Sequence, residues 1–208
     1  MIAKKTFLEI RQRYGDLSSW ALWSDSDIGN TNILSPSNFE AIKSNLKPEI
    51  VLVGLNVSAD ISPCSFANFH RAEGRSKTNL ERLPRALRGT PTWGAYMTDI
   101  IKYKDKCKEK FINSDSKAVD DILKEDDELV RFNLKIFHKE LNALNVENTV
   151  LIAIGVLAMK YLRRYRREFG DKSLRLEQIL HYSHTRSGYH DPVKYIERVK
   201  NEIAELGL

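Results

Sequence analysis

Asn56, Asp99, His181 and Ser183 each stand at or just past the end of an apolar run, where open α/β sheets gather their ligand-binding groups. An Asn amide lacks the carboxylate of a strong general base. It can orient a water, or hold its own turn through a side-chain hydrogen bond. An imidazole with a hydroxyl two residues on offers hydrogen bonds to an anion or a phosphate. Asp99 can accept hydrogen bonds from a ligand or cap a helix beginning at Ile100. His181, His184 and His190, with Asp191 beside them, also have the residue types to bind a metal, although no Cys or acidic ligand motif accompanies them.

The positions of these side chains depend on the elements that carry them. Ile50 to Val53 is an unbroken apolar run suited to a parallel strand covered on both faces. Gly54 reads as its stop, and Leu55-Asn56-Val57-Ser58 follows. Gly94 to Ile101 reads as a second strand ending near Thr98 and Asp99, and Val150 to Gly155 as a third. Leu176 to Leu180 is a fourth, leading into the stretch from His181 to His190.

Helical signals fall between these strands. Lys4 to Tyr14 places Phe7, Ile10 and Tyr14 on one side and stops at Gly15; Phe39 to Asn45 reads as a short helix. Asp127 to Leu144 carries Leu129, Phe132, Ile136, Phe137 and Leu141 at helical spacing, and Val156 to Phe169 follows the third strand. Asp191-Pro192 opens a last helix running to about Leu206, with Asp as N-cap and Pro in the first turn. This alternation predicts one domain over 1–208, a three-layer α/β/α sandwich around a mostly parallel four-stranded sheet. Trp20 and Trp23 are expected beneath the sheet as core. Asp60 to Thr90 shows no period and reads as a long loop, and Lys102 to Lys117 reads as exposed.

The stretch Glu49 to Ser58 resembles the first motif of the uracil-DNA glycosylase superfamily, where a buried strand runs into Gly-x-Asn-Pro or Gly-x-Asp-Pro. His181-Tyr182-Ser183-His184 is similar to that superfamily's last motif, typically His-Pro-Ser-Pro. The likeness spans about Ile50 to Tyr189. Val57 stands where the family usually has Pro, and Tyr182 and His184 take the two Pro positions of the last motif. Those loops therefore lack the restraint that a pyrrolidine ring places on φ.

The resemblance implies a site in which Asn56 orients water, Asp99 reads the base and His181 stabilises the departing anion. Ser183 is then a second donor or a phosphate contact. Phe69 lies thirteen residues past Asn56, the family's spacing for the aromatic that stacks on the flipped base. Phe66 competes for that role, and both rings also suit a core. Ser58, His184, Arg186 and Tyr189 are the expected DNA contacts, with Arg186 or Tyr189 filling the gap left by the flipped base. An ionised Asp99 would repel the O4 of uracil and accept from the amine of a cytosine, which points to a modified cytosine.

Lys and Arg total 33 against 28 Asp and Glu, a net charge of +5. Lys160, Arg163, Arg164, Arg166 and Arg167 crowd one segment, and Arg71, Arg75, Lys77, Arg82, Arg85 and Arg88 another. Such clustering fits a polyanion partner, with Arg163 and Arg164 further expected DNA contacts, although a solvated basic face reads the same way. Cys64 and Cys107 are too few for a disulfide framework or a four-cysteine iron–sulfur cluster, and no cofactor is expected. No signal-peptide pattern and no membrane-length apolar run appear, so a cytoplasmic address is the expectation.

These readings converge on a monofunctional DNA glycosylase. It would excise uracil or a modified cytosine from duplex or single-stranded DNA, in base-excision repair or in defence against modified foreign DNA. Two alternatives stand beside it. One is an inactive nucleic-acid-binding module of the same fold; the other is a metal-dependent nuclease built on His181, His184 and His190.

Overall fold

The computed structural model describes residues 1–24, 30–59, 65–70, 77–169 and 174–208, with the side chains of 77–80 left out. Cys64, Arg71, Arg75 and the side chain of Lys77 thus lie outside the described residues, as does much of the stretch from Asp60 to Arg75. The described elements are α1 (Lys4–Tyr14), β1 (Ser18–Trp20), α2 (Phe39–Ile42), β2 (Lys47–Asn56), α3 (Lys77–Leu87) and β3 (Ala95–Ile101). They continue with α4 (Ser116–Glu125), α5 (Asp127–Ala143), β4 (Val150–Ile154), α6 (Val156–Phe169), β5 (Arg175–Ile179) and α7 (Pro192–Glu205).

The sheet has five strands rather than four, in the order β1-β3-β2-β4-β5. β2, β3, β4 and β5 are parallel; β1 runs antiparallel on the edge of β3, pairing Ser18 with Thr98 and Trp20 with Tyr96. At three residues β1 is too short to show alternation in sequence. Its Trp20 is fully buried and Trp23 nearly so, as core.

Helices cover both faces, giving three layers. One core joins Phe7, Val53, Phe137 and Leu162, from α1, β2, α5 and α6. The other joins Leu52, Leu87 and Val199, from β2, α3 and α7. Parity along β2 explains the split: Val51, Val53 and Leu55 face the first core, and Ile50 and Leu52 face the second.

Three local expectations are corrected. Gly54 does not stop β2, which runs through it to Asn56. Asp99 caps no helix, because β3 continues to Ile101. The stretch read as one long loop contains α3, whose period is masked by Pro84 within it and by Arg82, a cation buried on the same side as Leu83, Ala86 and Leu87. In addition, α4 carried no signal read in sequence, and Lys102 is buried rather than exposed. Among the described residues, no helix is long and apolar enough to cross a membrane.

Candidate functional site

The sheet register sets Asp99 beside Gly54. A Cβ on Gly54 would lie 2.1 Å from Asp99 Oδ1 and 3.4 Å from Phe69 Cζ, so the carboxylate and the ring meet over the bare glycine. Asp99 is 2 % exposed, and its Oδ2 accepts from Asn68 Nδ2 at 2.9 Å.

Phe69 is held there by its neighbours. Ser19 Oγ donates to Phe66 O at 2.7 Å, Asn68 Nδ2 to Leu17 O at 2.7 Å, and His70 Nε2 lies 3.1 Å from Trp20 O. The segment is thereby fastened to β1 and the turn before it. Phe66 and Phe69 both adopt positive φ, 64° and 67°. Each left-handed residue costs roughly 1–2 kcal/mol and persists only where its surroundings over-determine it. The two rings part company: Phe66 is fully buried, 5.4 Å from the Phe7 ring, whereas Phe69 is half-buried at the strand ends. Burial removes Phe66 as a stacking surface.

Asn56 ends β2. Its Nδ2 donates to Val57 O and to Asn113 O, each at 2.9 Å, which fixes the amide plane and turns Oδ1 the other way as an acceptor. Val57 is buried with Leu17, Ala67 and Tyr103, and Asn113 N donates to Val57 O at 3.1 Å. Burial and hydrogen bonding therefore hold the loop that lacks Pro. Ser58 is half-buried one residue on.

His181 packs on a second glycine. A Cβ on Gly155, at φ +92°, would meet His181 Cβ at 3.0 Å and Cδ2 at 3.3 Å. Ser183 N donates to His181 Nδ1 at 3.1 Å, and Ser183 Oγ lies 2.8 Å from the same nitrogen. A backbone N–H can only donate, so Nδ1 accepts and the neutral ring carries its hydrogen on Nε2. Tyr182 stacks on the His181 ring at 4.3 Å.

Arg82 of α3 supports this loop from beneath. It is 3 % exposed and donates through Nη1 to Tyr182 O at 3.4 Å and through Nη2 to His190 O. Its sequence placed it in a basic cluster open to a polyanion; the structure buries it. Arg85 pairs with Glu81, and Arg88 lies over Trp93 at 5.3 Å.

Behind β3 lies a buried ionic network that the sequence did not reveal. Lys102 Nζ is 2.9 Å from Glu140 Oε2, with both side chains at most 1 % exposed. Tyr96 and Thr98 donate to Glu140, and Lys102 Nζ also donates to Asp99 O. Burial, reinforced by the Glu140 charge, pushes the Tyr96 phenol well above its usual range. This network ties α5 to the strand segment that bears Asp99.

The remaining expected residues lie around or away from this centre. Arg186 is exposed in a short 3₁₀ turn, and the His184 and Tyr189 rings are 5.8 Å apart beside it. Arg164 is engaged by Asp127 at 2.6 Å and Glu168 at 2.8 Å, and Arg163 is exposed further down α6. Since β4 and β5 are parallel, α6 must run back from the strand ends, carrying both arginines away from Asn56 and His181. Among the described residues no three His, Cys, Asp or Glu side chains gather to hold a metal, so His181, His184 and His190 do not form that cluster.

Fold and site together define a three-layer α/β protein with an acid, an amide, a ring and an imidazole gathered toward the carboxyl ends of its parallel strands. No protein-family model matches this chain, and no curated protein matches it.

Proposed function

We propose that this chain is a DNA glycosylase of the uracil-DNA glycosylase type, hydrolysing the N-glycosidic bond of a pyrimidine flipped out of the stack. One observation carries the reading: the Asp99 carboxylate and the Phe69 ring pack over Gly54 of β2, and His181 packs over Gly155, just past the end of the neighbouring parallel strand β4. Each glycine gives its place to one of these side chains, so the acid and the imidazole are both held close to the sheet at the end where a planar base would enter.

Each group then has a role. Phe69 stacks on the base, and Asp99 accepts from a donor on its edge. As the glycosidic bond stretches, negative charge gathers on the base and the sugar becomes cationic. His181 Nε2–H stabilises that anion; a preorganised donor of this kind contributes roughly 3–4 kcal/mol. Asn56 Oδ1 accepts from the water that attacks the sugar, and that water's second proton passes to solvent. Arg186, exposed on the turn, fills the space vacated in the duplex, with Tyr189 as the alternative. Asp99 in the reading position favours a 4-aminopyrimidine such as a modified cytosine over uracil.

The test is strand breakage after alkali on oligonucleotides bearing uracil, mismatched thymine or 5-substituted cytosines. An abasic site appears as a break only after alkali. Breakage without alkali that chelator abolishes would support a nuclease instead, and unmodified strands with retained DNA binding would support an inactive module.

A further inference from the structure

A groove of about 800 Å³ runs along α6 beside β5, from Val156, next to the Gly155 on which His181 packs, back down the helix. Val156, Met159 and Leu176 give it an apolar floor, and Arg163, Arg166 and Arg167 line it with charge. The helical residues recur at steps of three and four, so they form one stripe down α6. Val156 is 70 % exposed, a large apolar side chain at the mouth of the groove. The other two cations of this segment are occupied, Lys160 by Asp120 and Arg164 by Asp127 and Glu168. Among the described residues, Arg163, Arg166 and Arg167 make no ion pair.

The groove's other wall is an open strand edge. Arg175 N donates to Thr149 O, and Gly155 N to Ile179 O, so the odd residues of β5 turn their main chain toward β4. Leu176 and Gln178 therefore direct N–H and C=O outward, and among the described residues no strand lies beyond β5 in the sheet. An unpaired edge is a template for a further strand, and alternate side chains of that strand fall on one face.

We propose that this groove docks an extended acidic segment of a partner protein, which adds to β5 as a sixth strand. Its apolar side chains cover Val156, Met159 and Leu176, and its carboxylates meet the three arginines. An apolar floor without an aromatic ring suits a peptide better than a nucleic-acid strand, which would call for stacking surfaces.

The probe is a fluorescein-labelled peptide of alternating Glu and Val, about eight residues long, titrated into the full chain by anisotropy at two salt concentrations. Binding should weaken with salt, and should fall about tenfold in the double variant Arg163→Glu/Arg167→Glu, whose side chains are exposed and unpaired. Amide shifts on binding should centre on Leu176 and Gln178. A matched Lys-Val peptide should not bind. Absence of Glu-Val binding, or binding indifferent to the double variant, overturns the proposal. So do shifts centred on Asn56 or His181. If the double variant weakens a duplex oligonucleotide as much as the peptide, the groove is a phosphodiester track and the peptide assignment falls.

Discussion

Asp99 occupies the space that a side chain on Gly54 would need, with Oδ1 only 2.1 Å from where that Cβ would stand. The contact lies between adjacent strands, where neither backbone can retreat. Gly54→Ala should therefore destabilise the fold by about 1–3 kcal/mol, the usual cost of overpacking. Urea denaturation of Gly54→Ala, Asp99→Ala and the double variant forms a cycle, and the double variant should recover most of the loss. Additive losses would show that the two residues do not compete for one space.

Asn56→Ala and His181→Ala should each lower the single-turnover rate about 10²–10³-fold while leaving DNA affinity within a few fold. Their contacts are made to the water and to the charge that develops in the transition state. Rapid-quench measurement on the true substrate and anisotropy on DNA separate the two effects. Wild-type rates in both variants would remove them from the chemistry.

Asp99→Asn should shift preference toward uracil, because an amide both donates to O4 and accepts from N3–H, whereas a carboxylate only accepts. The comparison is excision by both proteins across uracil and a panel of 5-substituted cytosines. Efficient uracil excision by the natural protein, with no gain in the variant, would reverse the assignment.

Lys102 and Glu140 are both buried, so removing one partner leaves an uncompensated charge. Lys102→Met should cost about 3–5 kcal/mol, and Lys102→Met/Glu140→Gln considerably less. Denaturant midpoints measure both. Equal losses would show that the cost lies in packing rather than in the stranded carboxylate.

Burial, with Asp16 and Glu140 nearby, pushes the Tyr103 phenol up to about 12. A tyrosine in the unfolded chain titrates near 10. The stabilisation is thus complete below about pH 10 and is lost as pH rises toward 12, because the unfolded chain releases its proton first. Tyr96, Tyr161 and Tyr195 are raised in the same direction. Melting temperature should therefore fall through this window, less steeply in Tyr103→Phe. An unchanged slope in that variant would exclude Tyr103 from the effect.

Much of the frame was legible in the sequence because its signals are local. α1 and α5 follow from side-chain period, and α7 from its cap: Asp191 Oδ1 accepts from Val193 N at 2.9 Å, as the Asp-Pro start implies. Apolar runs marked β2 and β4, and the ends of β2 and β5 marked Asn56 and His181 as residues facing one side of the molecule.

The rest depended on partners distant in the chain. Only pairing with β3 makes Ser18–Trp20 a strand. Phe66 and Phe69 have the same side chain and similar backbone, yet one fills the core and the other borders the site, because Ser19, Leu17 and Trp20 fix how their segment lies. Gly54 looked like a stop and Gly155 like the last residue of a strand; in the fold they are the space into which Asp99 and His181 pack. Arg82 and Lys102 looked like surface charge until the carbonyls of Tyr182 and His190, and the carboxylate of Glu140, gave each a buried partner. Period and capping act within a few residues, so sequence alone determined them. Burial and close approach arise only when separate segments meet, so tertiary structure decided which side chains line the site and which hold it in place.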